Sequence, residues 1–335
     1  MKSYQTSPDG YRTLHELAGV GAVAPRGQIA LSGSERASYL QGLLTNDIAA
    51  LVPESGCYSA WLTPQGRMLT DLHVFESGDM MLLDVPADEL DATLQRLDEF
   101  LFSEDVQFAN LSETLRAVWL HGPAAAPIVE KTVGGVTALA AWPDYRNARG
   151  QFGGEPAVVA RVDQLGVPGF CVYVAPAQAE ALLAAFHNAG APSIDEAWID
   201  AARIETGYPI FGVDMTHETI PLEAGIEGRA ISLTKGCYVG QEVIIRVLHR
   251  GQGRVAKKLM ALRIDGDVPD RGARLYGKDR EIGTITSAAL SPTHGTIALA
   301  YLHRDFLAPG TDVEVETSAE RVRATVTERP IPPAA

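Results

Sequence analysis

The sequence predicts an α+β fold: two related α+β lobes followed by a C-terminal antiparallel β-barrel. Three observations carry that expectation. Two segments some ninety residues apart share one pattern, an apolar run, then a proline, then an amphipathic stretch. After Gly251 the chain changes character, and short β-like runs alternate with turn-formers. Finally, 335 residues with 46% hydrophobic and 21% charged side chains suit two or three globular domains, not one small domain or a disordered chain.

The elements follow in order. Met80 to Val85 reads as a strand, and Pro86 then leads into an acidic helix over Asp88 to Phe102. Phe170 to Val174 repeats the strand, Pro176 the entry, and Gln178 to Asn188 the helix. Ser193 to Glu205 reads as a further helix, with Ser193 as N-cap and Glu196 in the capping-box position. Strands are then expected over Val255 to Ile264, Ile282 to Ser287, Thr296 to Leu302, Thr311 to Glu316 and Arg321 to Thr327, with Gly266, Pro269, Gly277, Pro292, Gly295 and Pro309-Gly310 between them. Roughly five or six such strands make a small barrel or sandwich. This divides the chain into a two-lobed region, 1–250, with interleaved lobes and a second strand–helix unit near 155–190, and a barrel over 251–330.

Charge and cysteine usage narrow the function. Lys plus Arg number 28 against 42 Asp plus Glu, a formal net charge of −14, which disfavours direct nucleic-acid binding because neutralising phosphates needs a basic face. No stretch approaches the roughly 18 apolar residues of a membrane span. Met1 to Gly27 carries Asp9 and Glu16 and lacks a signal-peptide pattern, so a cytoplasmic protein is expected. Cys57, Cys171 and Cys237 are far apart, without CxxC or zinc-like spacing, so no disulfide framework, metal or permanent cluster is expected. Cys57 and Cys171 sit in apolar runs and read as core. His73, His217 and His294 have no metal-like spacing and receive no role.

The sharpest local feature is Lys235-Gly236-Cys237-Tyr238-Val239-Gly240-Gln241-Glu242. Gly236 and Gly240 allow a tight path that would display the thiol before a helix, where Lys235 and helix N–H groups would favour thiolate. The alternative is a buried cysteine acting as a small hydrophobe. KGCYVGQE resembles the signature of the YgfZ family, folate-binding proteins connected with iron–sulfur cluster maintenance, a branch of the glycine-cleavage T-protein (aminomethyltransferase) superfamily. Leu31-Ser32-Gly33 with Tyr39 to Asp47, Gly56 to Phe75, Arg203 to Pro209 with Gly212 and Asp214, Pro221 to Gly225, and Gly283 to Leu302 resemble that superfamily's successive blocks.

The resemblance implies two lobes with antiparallel sheets and a barrel, arranged around a central folate-sized channel, with tetrahydrofolate or a derivative as ligand. It implies that Glu205 reads the pterin, a task suited to a carboxylate facing two parallel N–H donors, with Arg203 beside it; a surface helix carboxylate is the alternative. The superfamily's acidic pair is reduced here to Leu69-Thr70-Asp71-Leu72. If Thr70 holds the catalytic place the proton-handling group is missing; if Asp71 holds it, aminomethyl chemistry remains open; Asp71 could also be a solvated strand residue. Asn46 and Asp47 line the channel or simply form a turn. Tyr58 and Trp61, three apart in a strand, face opposite sides, so at most one stacks on a ligand. Arg246, with His249 and Arg250, would hold a folate tail or an RNA phosphate, or cap a helix. The resulting expectation is a folate-binding protein that supports iron–sulfur client or assembly proteins through Cys237. The alternatives are a folate-dependent aminomethyltransferase or a regulator of tRNA modification. Cytoplasm is the expected compartment, with the mitochondrial matrix as the alternative.

Overall fold

The computed structural model describes residues 9–249, 253–318 and 320–332. Apolar strands, the central ones buried on both faces, build two five-stranded antiparallel sheets. The first is ordered Gly56–Leu62, Met68–Glu76, Met81–Pro86, Arg26–Ser32, Gln107–Asn110. The second is ordered Gly19–Val20, Arg116–His121, Gly169–Val174, Glu155–Arg161, Asn147–Phe152. Because Gly19–Val20 belongs to the second sheet yet precedes the whole first one, the lobes are interleaved. Each lobe carries the strand–proline–helix unit: Met81–Pro86 leads through a single turn of 3-10 helix into Leu90–Glu99, and Gly169–Val174 leads into Pro176–Asn188. A second repeat, not visible in the residues, joins Arg26–Ser32 to the helix Arg36–Leu43 and Arg116–His121 to Ala125–Thr132.

Buried aromatic and aliphatic groups bind the lobes together. Phe75 and Leu82 of the first sheet pack with Trp119, Ala160, Val162, Cys171 and Tyr173 of the second. The C-terminal strands close into a six-stranded barrel in which Lys257–Ile264 pairs with both Gly295–His303 and Arg321–Thr327. The strand Arg274–Gly277 was not expected: it is four residues long, ends in glycine, and is defined by its two neighbours rather than by its own pattern. The helix Glu196–Thr206 packs on the barrel through Ile199, Ala202 and Ile204, against Leu259, Ile297 and Leu299.

Two helix boundaries differ from expectation. The acidic helix stops at Glu99, leaving Phe100 and Phe102 exposed in a loop. Ser193 is not an N-cap: the cap position is Asp195, without a side-chain cap bond, and the Ser193 hydroxyl lies 3.1 Å from His187 Nε2.

Candidate functional site

Where the two sheets and the barrel meet, two cavities adjoin. The smaller, about 340 Å³, is lined by Arg26, Asp71, Trp119, Gln164, Tyr208 and Phe211 among others. The larger, about 810 Å³, includes Glu205, Tyr208, Gln164, Arg229 and Arg329 in its wall. Gln164 and Tyr208 belong to both, so the two spaces share a wall at those residues.

The strand period puts Thr70 and Asp71 on opposite faces. Successive side chains of Met68–Glu76 face opposite sides. Thr70 is buried, its hydroxyl turned to the Asp71 carbonyl at 3.1 Å, and its strand partner is Trp61, whose ring is in the outer core of that lobe. Asp71 faces the cavity and is 2% exposed, so it is not a solvated strand residue. Tyr58 donates to Asp71 Oδ2 at 2.8 Å, and Arg26 Nη1 reaches Asp71 Oδ1 at 3.3 Å. Arg26 also spans to Asp84, with Nε 2.7 Å from Oδ1, and the Tyr173 hydroxyl of the other lobe donates to Asp84 Oδ2 at 2.5 Å. Burial pushes the Asp84 carboxyl above its ordinary range, with Arg26 opposing. One guanidinium thus serves two buried carboxylates of its own sheet, and the Tyr173 hydroxyl reaches one of them from the other lobe.

Tyr58 and Trp61 do face opposite sides. Tyr58 packs with Met68, Phe211 and Ile226, whereas Trp61 packs with Ile29, Leu43 and Leu83, which takes Trp61 out of reach of either cavity. His73 joins the cavity side: Nε2 lies 3.4 Å from the Tyr208 hydroxyl, and burial together with the Arg26 and Arg229 charges pushes the imidazole well below its ordinary range.

Glu205 lines the larger cavity, but its carboxylate is already engaged. The Tyr11 hydroxyl is within 2.9 Å of Oε1 and 2.8 Å of Oε2, and Ser291 donates to Oε1 at 2.5 Å. It therefore ties the helix Asp9–Glu16 to the barrel. Arg203 is likewise occupied internally, with Nε on Asp200 at 2.6 Å, Nη1 on Asp214 at 3.0 Å and Nη2 on Ser287 at 2.8 Å. Arg229 and Arg329 form no ion pair among the described residues and face the larger cavity, with Arg329 donating to the Gly207 and Ala224 carbonyls at 3.3 and 2.7 Å. The Arg229 guanidinium sits over the Tyr208 and Tyr58 rings, 4.4 and 5.0 Å from their centroids.

The Lys235–Glu242 segment docks on the first lobe. The Lys235 ammonium is buried against three backbone carbonyls, Gln41 at 2.7 Å, Leu44 at 2.7 Å and Asn46 at 2.8 Å, so all three donors are used in holding the segment. Burial pushes this ammonium down to about 8. Lys235 is thus a tether, and the charges acting on it are those of Asp47 and Cys57. Cys237 is exposed, while Cys57 and Cys171 are buried, and burial pushes the Cys57 thiol up to about 12. The two motif glycines are unequal. Gly240 has φ +85°, and a Cβ there would come within 2.6 Å of the Thr63 carbonyl; at Gly236 a Cβ would meet nothing. Tyr238 is buried, Gln241 begins the helix Gln241–His249, and Glu242 lies exposed in its first turn. Arg246 and His249 are exposed on that helix, Arg246 lining neither cavity, and Arg250 lies outside the described residues. Asn46 is a turn residue: its amide donates to the Tyr58 carbonyl at 2.8 Å and the Arg229 carbonyl at 3.0 Å.

Arg26, Gln164, Tyr208 and Arg229 were not singled out from sequence. Tyr208 lies inside the Arg203–Pro209 block, but the other three sit in stretches with no local pattern. Among the described residues no group of three His, Cys, Asp or Glu side chains is arranged to hold a metal ion, and no helix is long and apolar enough to cross a membrane.

Comparison with known proteins agrees with this architecture. Residues 4–235 match the model of the GCVT N-terminal domain, and 257–331 that of the glycine cleavage T-protein C-terminal barrel domain. The chain is 28% identical over 328 residues to an aminomethyltransferase of Bacillus subtilis, covering 96% of this chain and 89% of that protein. It is 30% identical over 299 residues to an aminomethyltransferase of Rubrobacter xylanophilus, covering 88% and 79%. The crystal structure of the glycine cleavage system aminomethyltransferase T from Bartonella henselae superposes with a TM-score of 0.86 at 22% identity, covering 97% of this chain and 89% of that one, which shows the shared fold.

Proposed function

This chain belongs to the glycine-cleavage T-protein family, and we propose that it binds a reduced folate in the adjoining cavities and transfers a one-carbon unit of aminomethyl type. The observation that carries this reading is Asp71, a buried carboxylate on the cavity wall, hydrogen-bonded by Tyr58 and paired with Arg26. Where the sequence left Thr70 and Asp71 open, the geometry favours Asp71, and aminomethyl chemistry keeps its acidic group. The names of the Bacillus subtilis and Rubrobacter xylanophilus relatives support the same donor class.

The residues present suit such a ligand. The smaller cavity is walled by Trp119, Tyr208 and Phe211, which suits a flat ring, and the larger one carries Arg229 and Arg329, whose heads lack carboxylate partners and suit an anionic tail. When bound, a reduced folate supplies ring nitrogens that take up the one-carbon unit. The chain contributes position and electrostatics. Tyr58 and Arg26 fix the Asp71 carboxylate, which stabilises positive charge at a nitrogen facing it or holds a proton there. The enclosing aromatic walls exclude water from that point.

Asp71→Asn keeps the shape and removes the charge. It is expected to retain folate binding and to lower formation of methylene-tetrahydrofolate from an aminomethylated lipoyl carrier by about a hundredfold. Full activity in Asp71→Asn refutes the role.

A second reading, support of iron–sulfur enzymes by a folate-binding protein, is favoured by one observation: Cys237 is exposed on its docked loop while the other two thiols are buried. It predicts that a deletion strain recovers cluster-enzyme activity with the wild-type gene and not with Cys237→Ser. Free, unpaired cysteines fit a reducing compartment under either reading.

A further inference from the structure

The wall shared by the two cavities contains one polar group that the fold leaves unsatisfied. Gln164 lies between the strands Glu155–Arg161 and Gly169–Val174 and is only 4% exposed. Its Nε2 donates to the Tyr208 hydroxyl at 3.2 Å, which fixes the plane of the amide. Its Oε1 is buried and has no partner among the described residues. A buried amide oxygen without a donor costs about 1–3 kcal/mol, and folded proteins retain few of them. Glu205, the carboxylate that the family resemblance suggested as ring reader, differs in that hydroxyls of Tyr11 and Ser291 already donate to it.

We propose that Gln164 reads the edge of the ligand's ring, its Oε1 accepting a ring or exocyclic N–H at the junction of the two cavities. This rests on the reduced-folate reading and deepens it. The position is consistent with the rest of the wall: the smaller cavity beyond the junction carries Asp71, and the larger one carries Arg229 and Arg329 for an anionic tail. A ring bearing N–H donors replaces the missing partner of Oε1, whereas a ring without them leaves the amide oxygen stranded, and this asymmetry makes Gln164 a determinant of specificity.

The test is calorimetric titration of the full-length wild type, Gln164→Leu and Gln164→Glu with three probes under anaerobic conditions. The probes are 5-formyltetrahydrofolate, a tetrahydropterin carrying the ring alone, and p-aminobenzoylglutamate carrying the tail alone. Gln164→Leu is expected to lose about tenfold or more in affinity for the folate and for the ring probe, with the tail probe unchanged. Gln164→Glu retains an acceptor and is expected to keep ring affinity well above that of Gln164→Leu, which separates a lost hydrogen bond from a collapsed pocket. If the wild type binds and Gln164→Leu binds the ring probe within about twofold, the assignment is overturned. Equal losses for ring and tail, or ring binding lost on Glu205→Gln and kept in Gln164→Leu, also overturn it. A wild type that binds none of the probes refutes the folate reading itself, and the Gln164 assignment falls with it.

Discussion

Arg26→Met tests how the buried charge cluster of the first sheet is held. The guanidinium contacts Asp84 Oδ1 at 2.7 Å, the Asp84 carbonyl at 2.5 Å and Asp71 Oδ1 at 3.3 Å, and both carboxylates are buried. Methionine keeps the apolar stem and removes all three contacts, leaving two buried carboxylates near each other without a cation. Breaking a buried pair from one side costs about 3–5 kcal/mol, about a fifth or more of the total for a protein holding about 5–15 kcal/mol. The pH dependence follows from Asp84, whose folded-state carboxyl lies above its unfolded value because of burial. A raised acid favours the fold below its unfolded value, near 3.9, and that contribution is lost as pH rises through the folded value. Loss of Arg26 accentuates this, so the deficit is largest near pH 8 and shrinks toward pH 5. Urea unfolding of wild type and variant at both pH values measures it, and adding Asp84→Asn to the variant should restore about half of the loss. A deficit below about 1 kcal/mol at pH 8, or one that does not shrink at pH 5, would mean that the cluster is hydrated rather than buried and would overturn the role given to Arg26.

Further predictions concern individual positions. Thr70→Val should leave turnover unchanged while Asp71→Asn lowers it about a hundredfold, read by steady-state assay, since Thr70 points into the outer core. Iodoacetamide should label Cys237 in the native protein and reach Cys57 and Cys171 only on unfolding, read by mass spectrometry against denaturant. Gly240→Ala should cost about 2 kcal/mol or more in unfolding experiments, because the residue has φ +85° and its Cβ would press on a backbone carbonyl, while Gly236→Ala should cost little. Lys235→Met frees three carbonyls and should speed proteolysis within 235–240, because the ammonium there serves as tether.

What could be read from the residues was whatever repeats along the chain. The strand–proline–helix units were legible because period and proline are local signals, and all five expected barrel strands form. The opposite facing of Tyr58 and Trp61 needed only the two-residue period of a strand. Even the helix after the cysteine motif announced itself in its apolar run.

What the residues could not disclose was which polar groups find each other. Glu205 meets Tyr11 194 positions away, Lys235 meets carbonyls 189 to 194 positions away, and Tyr173 closes on Asp84 across 89. Those pairings give Glu205 and Lys235 internal hydrogen-bond partners that no local pattern announces. The closed chain likewise leaves Gln164 Oε1 buried without a partner among the described residues. Apolar periodicity is written in the sequence because burial is non-directional and needs only a face. Hydrogen bonds and ion pairs are directional and short-ranged, so they exist only once the chain has closed and brought distant segments within about 3 Å.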